Sequence, residues 1–242
     1  MKNVLVLIFI IAFQFGCKKK PEGTPIPKQA TLELIKTQYL GSGTGGQYYV
    51  DARATLTING KNITPGEVRI NDTIVDKQPD YNFALNNLHV AGTDWAGYVD
   101  GNNTWTFSGS PEFGIPAFAQ ASPIGFSSLY LTNTESVNTI NRSAPFTIEW
   151  DNSVPCDSIE VLIHDRVNNS NLSSGFFKGT TSSYTFTVSQ LAMLHPFEIV
   201  NGGTSDYSFI NVNGIIYRKV QKDDLKLEAR NISSFSKSVN IR

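Results

Sequence analysis

The 242-residue chain has only two cysteines, three histidines and two methionines. Two cysteines make neither a disulfide framework nor a cysteine-rich zinc site. His89, His164 and His195 lie far apart and show no ligand spacing, so imidazole-based metal chemistry has little to work with. There is no basic excess, since 20 Lys and Arg face 21 Asp and Glu, and the footprint of a nucleic-acid binder is missing. No apolar run reaches the ~20 residues that cross a bilayer as a helix. No GxSxG elbow, HExxH helix, P-loop or CxxC pair occurs. The glycine-rich Gly41–Gly46 lacks a phosphate-binding lysine and falls between strand-like stretches, as a loop does. No cofactor and no metal is expected. A 40% hydrophobic content, in contrast, is enough for a packed core.

Met1-Lys2-Asn3 is followed by an apolar run from Val4 to Phe15 that only Gln14 interrupts. One positive charge and about a dozen apolar residues are laid out as in a secretory signal. The run ends at Gly16-Cys17. This junction resembles a bacterial lipobox, although Gln14 and Phe15 stand where the usual pattern has Leu and a small residue. Relaxed versions of that pattern, followed by a lysine-rich start such as Cys17-Lys18-Lys19-Lys20, are familiar in Bacteroidota lipoproteins. The resemblance implies a signal peptide over 1–16 and a lipid on Cys17 that anchors the chain to the membrane. It also implies an outer-membrane lipoprotein of the cell envelope, facing the periplasm or the cell surface. The other reading is an ordinary signal peptide with a cysteine after it by chance.

Residues 17–29 then read as the lipidated cysteine and a flexible tether, because KKKPEGTPIPKQ holds three prolines and four lysines with almost no apolar content. Every Asp and Glu lies beyond Lys20, so the body is mildly acidic, which suits solubility near a membrane. Cys156 is the remaining thiol. Beside Asp157 it reads as an inert thiol, buried or half-buried.

From residue 30 onward, stretches of Val, Ile, Thr, Tyr and Phe alternate with Gly, Asn, Asp and Ser clusters, the pattern of an all-β chain. A period of two places Ala52, Ala54, Leu56 and Ile58 on one face, and likewise Trp105 with Phe107, and Phe146 with Ile148 and Trp150. It also groups Ile159, Val161 and Ile163, then Tyr184, Phe186 and Val188, then Leu225, Leu227 and Ala229. Turns are expected at Asn59-Gly60, Asp100-Gly101 and Asn213-Gly214. Asp223-Asp224 reads as a solvated turn, and 189–194 as a short helix capped by Ser189 and stopped before Pro196. Pro116, Pro123 and the small residues around them break the rhythm near 115–126. Two β-sandwich-like domains are therefore expected, an N-terminal one over 30–120 and a C-terminal one over 121–242.

In the second half, FTIEW at 146–150, DSIEVLIHD at 157–165, SYTFTVSQL at 183–191 and LKLEAR at 225–230 resemble immunoglobulin-like or fibronectin-III-like sandwiches of envelope proteins. Such a fold does not by itself imply a function.

Most of the 15 Phe, 9 Tyr and 3 Trp fall on strand faces, as core residues do. Trp95 differs, because Asp94, Trp95 and Tyr98 sit among small and turn residues. A Trp and a Tyr three apart, with an adjacent carboxylate, make a flat platform and an acceptor for a sugar ring; a loop Trp folded over the core is the alternative. Asp94, Asp100, Asn102 and Asn103 surround a turn but lack the spacing of an EF-hand loop. Asp72-Thr73-Ile74 and Asp157-Ser158-Ile159 are similar to the Asp-Ser/Thr-apolar acceptor for O-glycosylation of Bacteroidota envelope proteins, which points to Thr73 and Ser158.

These observations favour a non-catalytic envelope lipoprotein that binds or scaffolds, with polysaccharide or another envelope protein as partner. The second class is a structural or adhesive subunit that assembles through strand edges. The third is a hydrolase that uses two facing carboxylates.

Overall fold

The computed structural model describes residues 26–40, 48–64, 66–77, 83–87, 102–123, 125–133, 136–196 and 208–242, with backbone alone for 39, 40, 48, 49 and 83–87. The strands are β1 (Lys28–Leu40), β2 (Tyr48–Ile58), β3 (Lys61–Asn62), β4 (Val68–Ile70), β5 (Thr73–Ile74) and β6 (Asp76–Lys77). They continue with β7 (Phe83–Asn87), β8 (Thr104–Phe107), β9 (Phe118–Ala121), β10 (Ser128–Leu131), β11 (Thr139–Ile140) and β12 (Phe146–Val154). The last are β13 (Ser158–Asp165), β14 (Ser170–Lys178), β15 (Ser183–Phe186), β16 (Ser208–Lys222) and β17 (Leu225–Ile241). The α-helix among the described residues, α1 (Val188–Leu191), is a single turn. The chain is all-β, as its alternation predicts.

One ten-stranded sheet runs in the order β14-β13-β16-β17-β1-β2-β7-β6, with β11 on β17 and β3 on β2. A four-stranded sheet, β5-β4-β8-β9, and a three-stranded sheet, β10-β12-β15, complete the fold. The first core lies between the four-stranded sheet and the large one, where Trp105, Phe107, Val68 and Ile70 meet Leu32, Leu34, Ala52 and Leu56. The second lies between the three-stranded sheet and the large one, where Ile148, Trp150 and Phe186 meet Ile159, Val161, Ile210 and Val212.

Strand β17 spans both cores. Leu225, Leu227 and Ala229 belong to the first, and Phe235, Val239 and Ile241 to the second. All six have odd numbers on a strand whose register with β16 is continuous, so both cores lie on one face of the large sheet. Leu225, Leu227 and Ala229 thus come from the end of the chain and pack with its beginning.

Two sequence expectations are corrected. Asn213-Gly214 is not a turn, because both residues lie inside the 15-residue β16. Gly214 is needed for close approach instead. A Cβ there falls 2.3 Å from Ser127 Oγ and 2.6 Å from Leu129 Cδ1, where β10 crosses the sheet. The helix is capped not by Ser189 but by Thr187, which forms a reciprocal capping box with Gln190. Val188 therefore leaves the Tyr184–Phe186 face and becomes the first helical residue, 41% exposed. The Asn59-Gly60 and Asp223-Asp224 turns form as expected, with φ of 51° and 74° for the first pair and 53° at Asp223. Asp100-Gly101 and Gly41–Gly46 lie outside the described residues.

Candidate functional site

Because both cores occupy one face of the large sheet, its other face carries the outward half of each strand's alternation. On β17 these residues are Lys226, Glu228, Arg230, Ile232, Ser234 and Ser236, of which the first three are exposed or half-buried and the last three buried. Register extends each of them into a row across the neighbouring strands. Tyr217 of β16, Arg230 of β17, Glu33 of β1 and Arg53 of β2 stand side by side. The next row on one side is Lys219, Glu228, Thr31 and Thr55, and on the other Ile215, Ile232, Ile35 and Asp51.

Arg230 organises the charged part. Its guanidinium donates from Nε to Glu228 at 2.5 Å and from Nη1 to Glu33 Oε1 at 3.0 Å. Lys219 Nζ lies 3.3 Å from the other oxygen of Glu228, and Arg53 pairs with Asp51 at 3.0 Å. Burial pushes the Glu228 carboxyl up, but Arg230 and Lys219 outweigh it and hold the group below the usual carboxylate range. Burial likewise weakens the charged form of Arg230, and Glu228 and Glu33 more than offset it. Glu33 and Glu228 are thus two carboxylates brought together by one cation. Glu228 is poised to stay ionised, the opposite of what a general acid requires.

Tyr217 is fixed from several sides. Its hydroxyl meets Ser158 Oγ at 2.5 Å, its backbone N–H donates to Asp157 at 2.7 Å, and Lys219 Nζ lies 4.9 Å from its ring centroid. Two hollows lie along this face. One of about 420 Å³ is bordered by Gln29, Thr31, Lys219, Gln221 and Glu228. The other, of about 330 Å³, is bordered by Asp51, Arg53, Asn211, Asn213, Ile232 and Ser234. Both fall at or above the lower end of small-ligand pocket sizes.

Cys17, Asp94, Trp95 and Tyr98 lie outside the described residues, as does His89. Thr73 is half-buried on β5 of the four-stranded sheet. Ser158 is elsewhere, at the start of β13, 8% exposed and bonded to Tyr217, so its hydroxyl faces the protein in the folded chain. His164 is bonded to Asn171 at 3.0 Å, and His195 Nδ1 lies 3.1 Å from Asp165, whose fully buried carboxylate also accepts the backbone N–H groups of Val167 and His195. Cys156 is half-buried against Asn152 and Gly179; desolvation, with a lesser contribution from Asp157, pushes its thiol up. Among the described residues, no three His, Cys, Asp or Glu side chains group as metal ligands.

Sequence reasoning missed the open face. Its signal was the polar half of the same alternation that located the core, above all Asn211 and Asn213. The dipeptide Asn213-Gly214 had marked that stretch as a turn.

No protein-family model matches the chain. No curated protein matches it. A solved structure described as fibronectin(III)-like modules of Clostridium thermocellum CbhA aligns with 88% of this chain and 94% of that one, at 14% identity and a TM-score of 0.24.

Proposed function

We propose that this protein is a membrane-anchored binding or scaffolding module of the bacterial cell envelope. A lipid on Cys17 holds it to the outer membrane, the residues between Cys17 and β1 space it from the surface (a tether that stops short of the expected residue 29, since Lys28 and Gln29 are already paired in β1), and the open face of the large sheet meets its ligand or partner. The observation that supports the binding role is the ordered row Tyr217–Arg230–Glu33–Arg53 between two hollows, on a face that neither smaller sheet covers. Asp94, Trp95 and Tyr98 remain within the proposal as a loop platform for a glycan.

Assembly through strand edges has less support. Edge strand β14 carries a bulge at Ser174-Gly175, with Gly175 at φ 75°, and β6 at the other end has two residues. Bulged and short edges resist pairing with another chain.

The test compares the full chain with Cys17→Ala in fractionated bacteria, and places a photo-crosslinker at Gln29 on the open face or at Thr147 on the three-stranded sheet. Membrane retention that depends on Cys17, with crosslinks from Gln29 only, is the expected result. Retention without Cys17, or crosslinks from Thr147 alone, overturns the reading.

A further inference from the structure

Asn is a poor strand former, and a residue that breaks local preference is usually repaid by an internal contact or by function. Three asparagines elsewhere in the fold obtain such contacts: Asn231 bonds the carbonyls of Pro123 and Gly125, Asn152 that of Gly179, and Asn71 the side chain of Asn103, whereas the Oδ1 of Asn240 near the end of β17 is buried without a partner. Asn211 and Asn213 do not. They stand in the interior of β16, half-buried on the open face, and their amides have no hydrogen-bond partner among the described residues.

Their surroundings define a ligand chemistry. Asn213 stands between Ser234, which is beside Thr37, and Glu160 of β13, whose carboxylate accepts from Ser173, and Asn211 stands between Ser236 and Leu162. In the row directly alongside, Ile35 is half-buried and borders the hollow, while Ile232 and Ile215 are buried at 9% and 2% exposure. Beyond it, the Arg53–Asp51 and Arg230–Glu33 pairs cancel each other's charge. Each amide offers an acceptor and donors in one plane, and the two sit roughly 7 Å apart along the strand. Hydroxyl groups satisfy such amides both ways, and the C–H face of a sugar ring lies against isoleucine. A phosphate or uronate polymer finds its cations already paired. An extended peptide docks on a sheet edge rather than on a face.

We infer that the hollow of about 330 Å³ lined by Asn211, Asn213, Ser234 and Ile232 binds an uncharged glycan chain laid across β16, β17 and β1. This inference rests on the reading of the open face as the binding surface.

The test is affinity electrophoresis of the detergent-purified full chain through gels containing starch, hydroxyethylcellulose, galactomannan or polygalacturonate. Retardation by a neutral polysaccharide is expected, weakened roughly tenfold or more by Asn211→Ala with Asn213→Ala, the effect of losing two hydrogen bonds. Thermal melting establishes that the double variant folds; if it does not, Asn213→Ser, which keeps a polar group, is expected to fold and to weaken retardation alone. Retardation by polygalacturonate only, by nothing, or equally in the variants overturns the inference. If no polysaccharide retards the chain while Gln29 still crosslinks to an envelope protein, the glycan is wrong and the binding-module reading stands.

Discussion

Asn231, fully buried within β17, donates its side-chain amide to the carbonyl of Pro123 at 2.8 Å. The same nitrogen reaches the carbonyl of Gly125 at 2.7 Å. One side chain thus satisfies two carbonyls of the segment that leads from the first core to the second, and ties that segment to the strand both cores share.

Replacing Asn231 by Leu keeps the branched shape, at a larger volume, and removes both donors. Two inward-facing carbonyls then lose their partner, at a cost of about 2 kcal/mol or more. Urea denaturation is expected to show this loss, and to separate the single transition into two as the crossing segment loosens. An unchanged midpoint would mean that the strands alone join the cores.

Gly214→Ala is expected to destabilise the fold by about 1–3 kcal/mol. The added methyl meets Ser127 Oγ and Leu129 Cδ1, both closer than 3 Å. Leu129→Ala in the same chain makes room, so the double variant is expected to lose less than the two single losses added together. A double-mutant cycle by thermal melting measures that coupling.

These two residues also mark how far the sequence could be read. Alternation alone identified Trp105 with Phe107, and Ile159 with Val161 and Ile163, because a face buried against another sheet must be apolar at every second position. It could not reveal that β17 serves two cores, since Leu225 and Val239 look alike in sequence and differ only in which sheet lies above them. Gly214 misled for a physical reason: glycine suits both a positive φ and a close approach, and only the strand passing over it decides between them. The Arg230 row was invisible because its register depends on pairing with Glu33, 197 residues away.

The ion-pair row makes stability depend on acid. Glu228 has a folded pKa held below its ordinary value, so its contribution is present above the unfolded pKa and is lost as pH falls through the folded one. Glu228→Gln is therefore expected to be less stable than the parent near neutrality and to lose less on acidification from about pH 5 to pH 3. Denaturation midpoints at several pH values test this; parallel profiles for the two proteins would rule it out.

Cys156 gives a dependence in the alkaline direction. Desolvation raises its thiol pKa, with Asn152 opposing and Asp157 adding to the shift. The unfolded thiol ionises first, so stability is complete below the ordinary thiol pKa and falls as pH rises from there towards the raised value. Iodoacetamide is expected to alkylate the folded protein several-fold more slowly than the urea-unfolded protein at about pH 8. Equal rates would mean that the thiol is neither shielded nor shifted.

The proposed membrane attachment would depend on chemistry at Cys17. Each buried methylene is worth about 0.8 kcal/mol, so one acyl chain holds weakly and two or more hold firmly. The unmodified tether, with Lys18, Lys19 and Lys20, retains only an electrostatic attraction to anionic headgroups. Cys17→Ser is therefore expected to move the protein out of the membrane fraction, with any residual attachment removed by high salt. The parent chain is expected to withstand the same salt wash and to show by mass spectrometry the added mass of its acyl groups. A parent chain that salt releases, or that lacks the added mass, would make residues 1–16 an ordinary signal peptide and Cys17 a residue without a lipid.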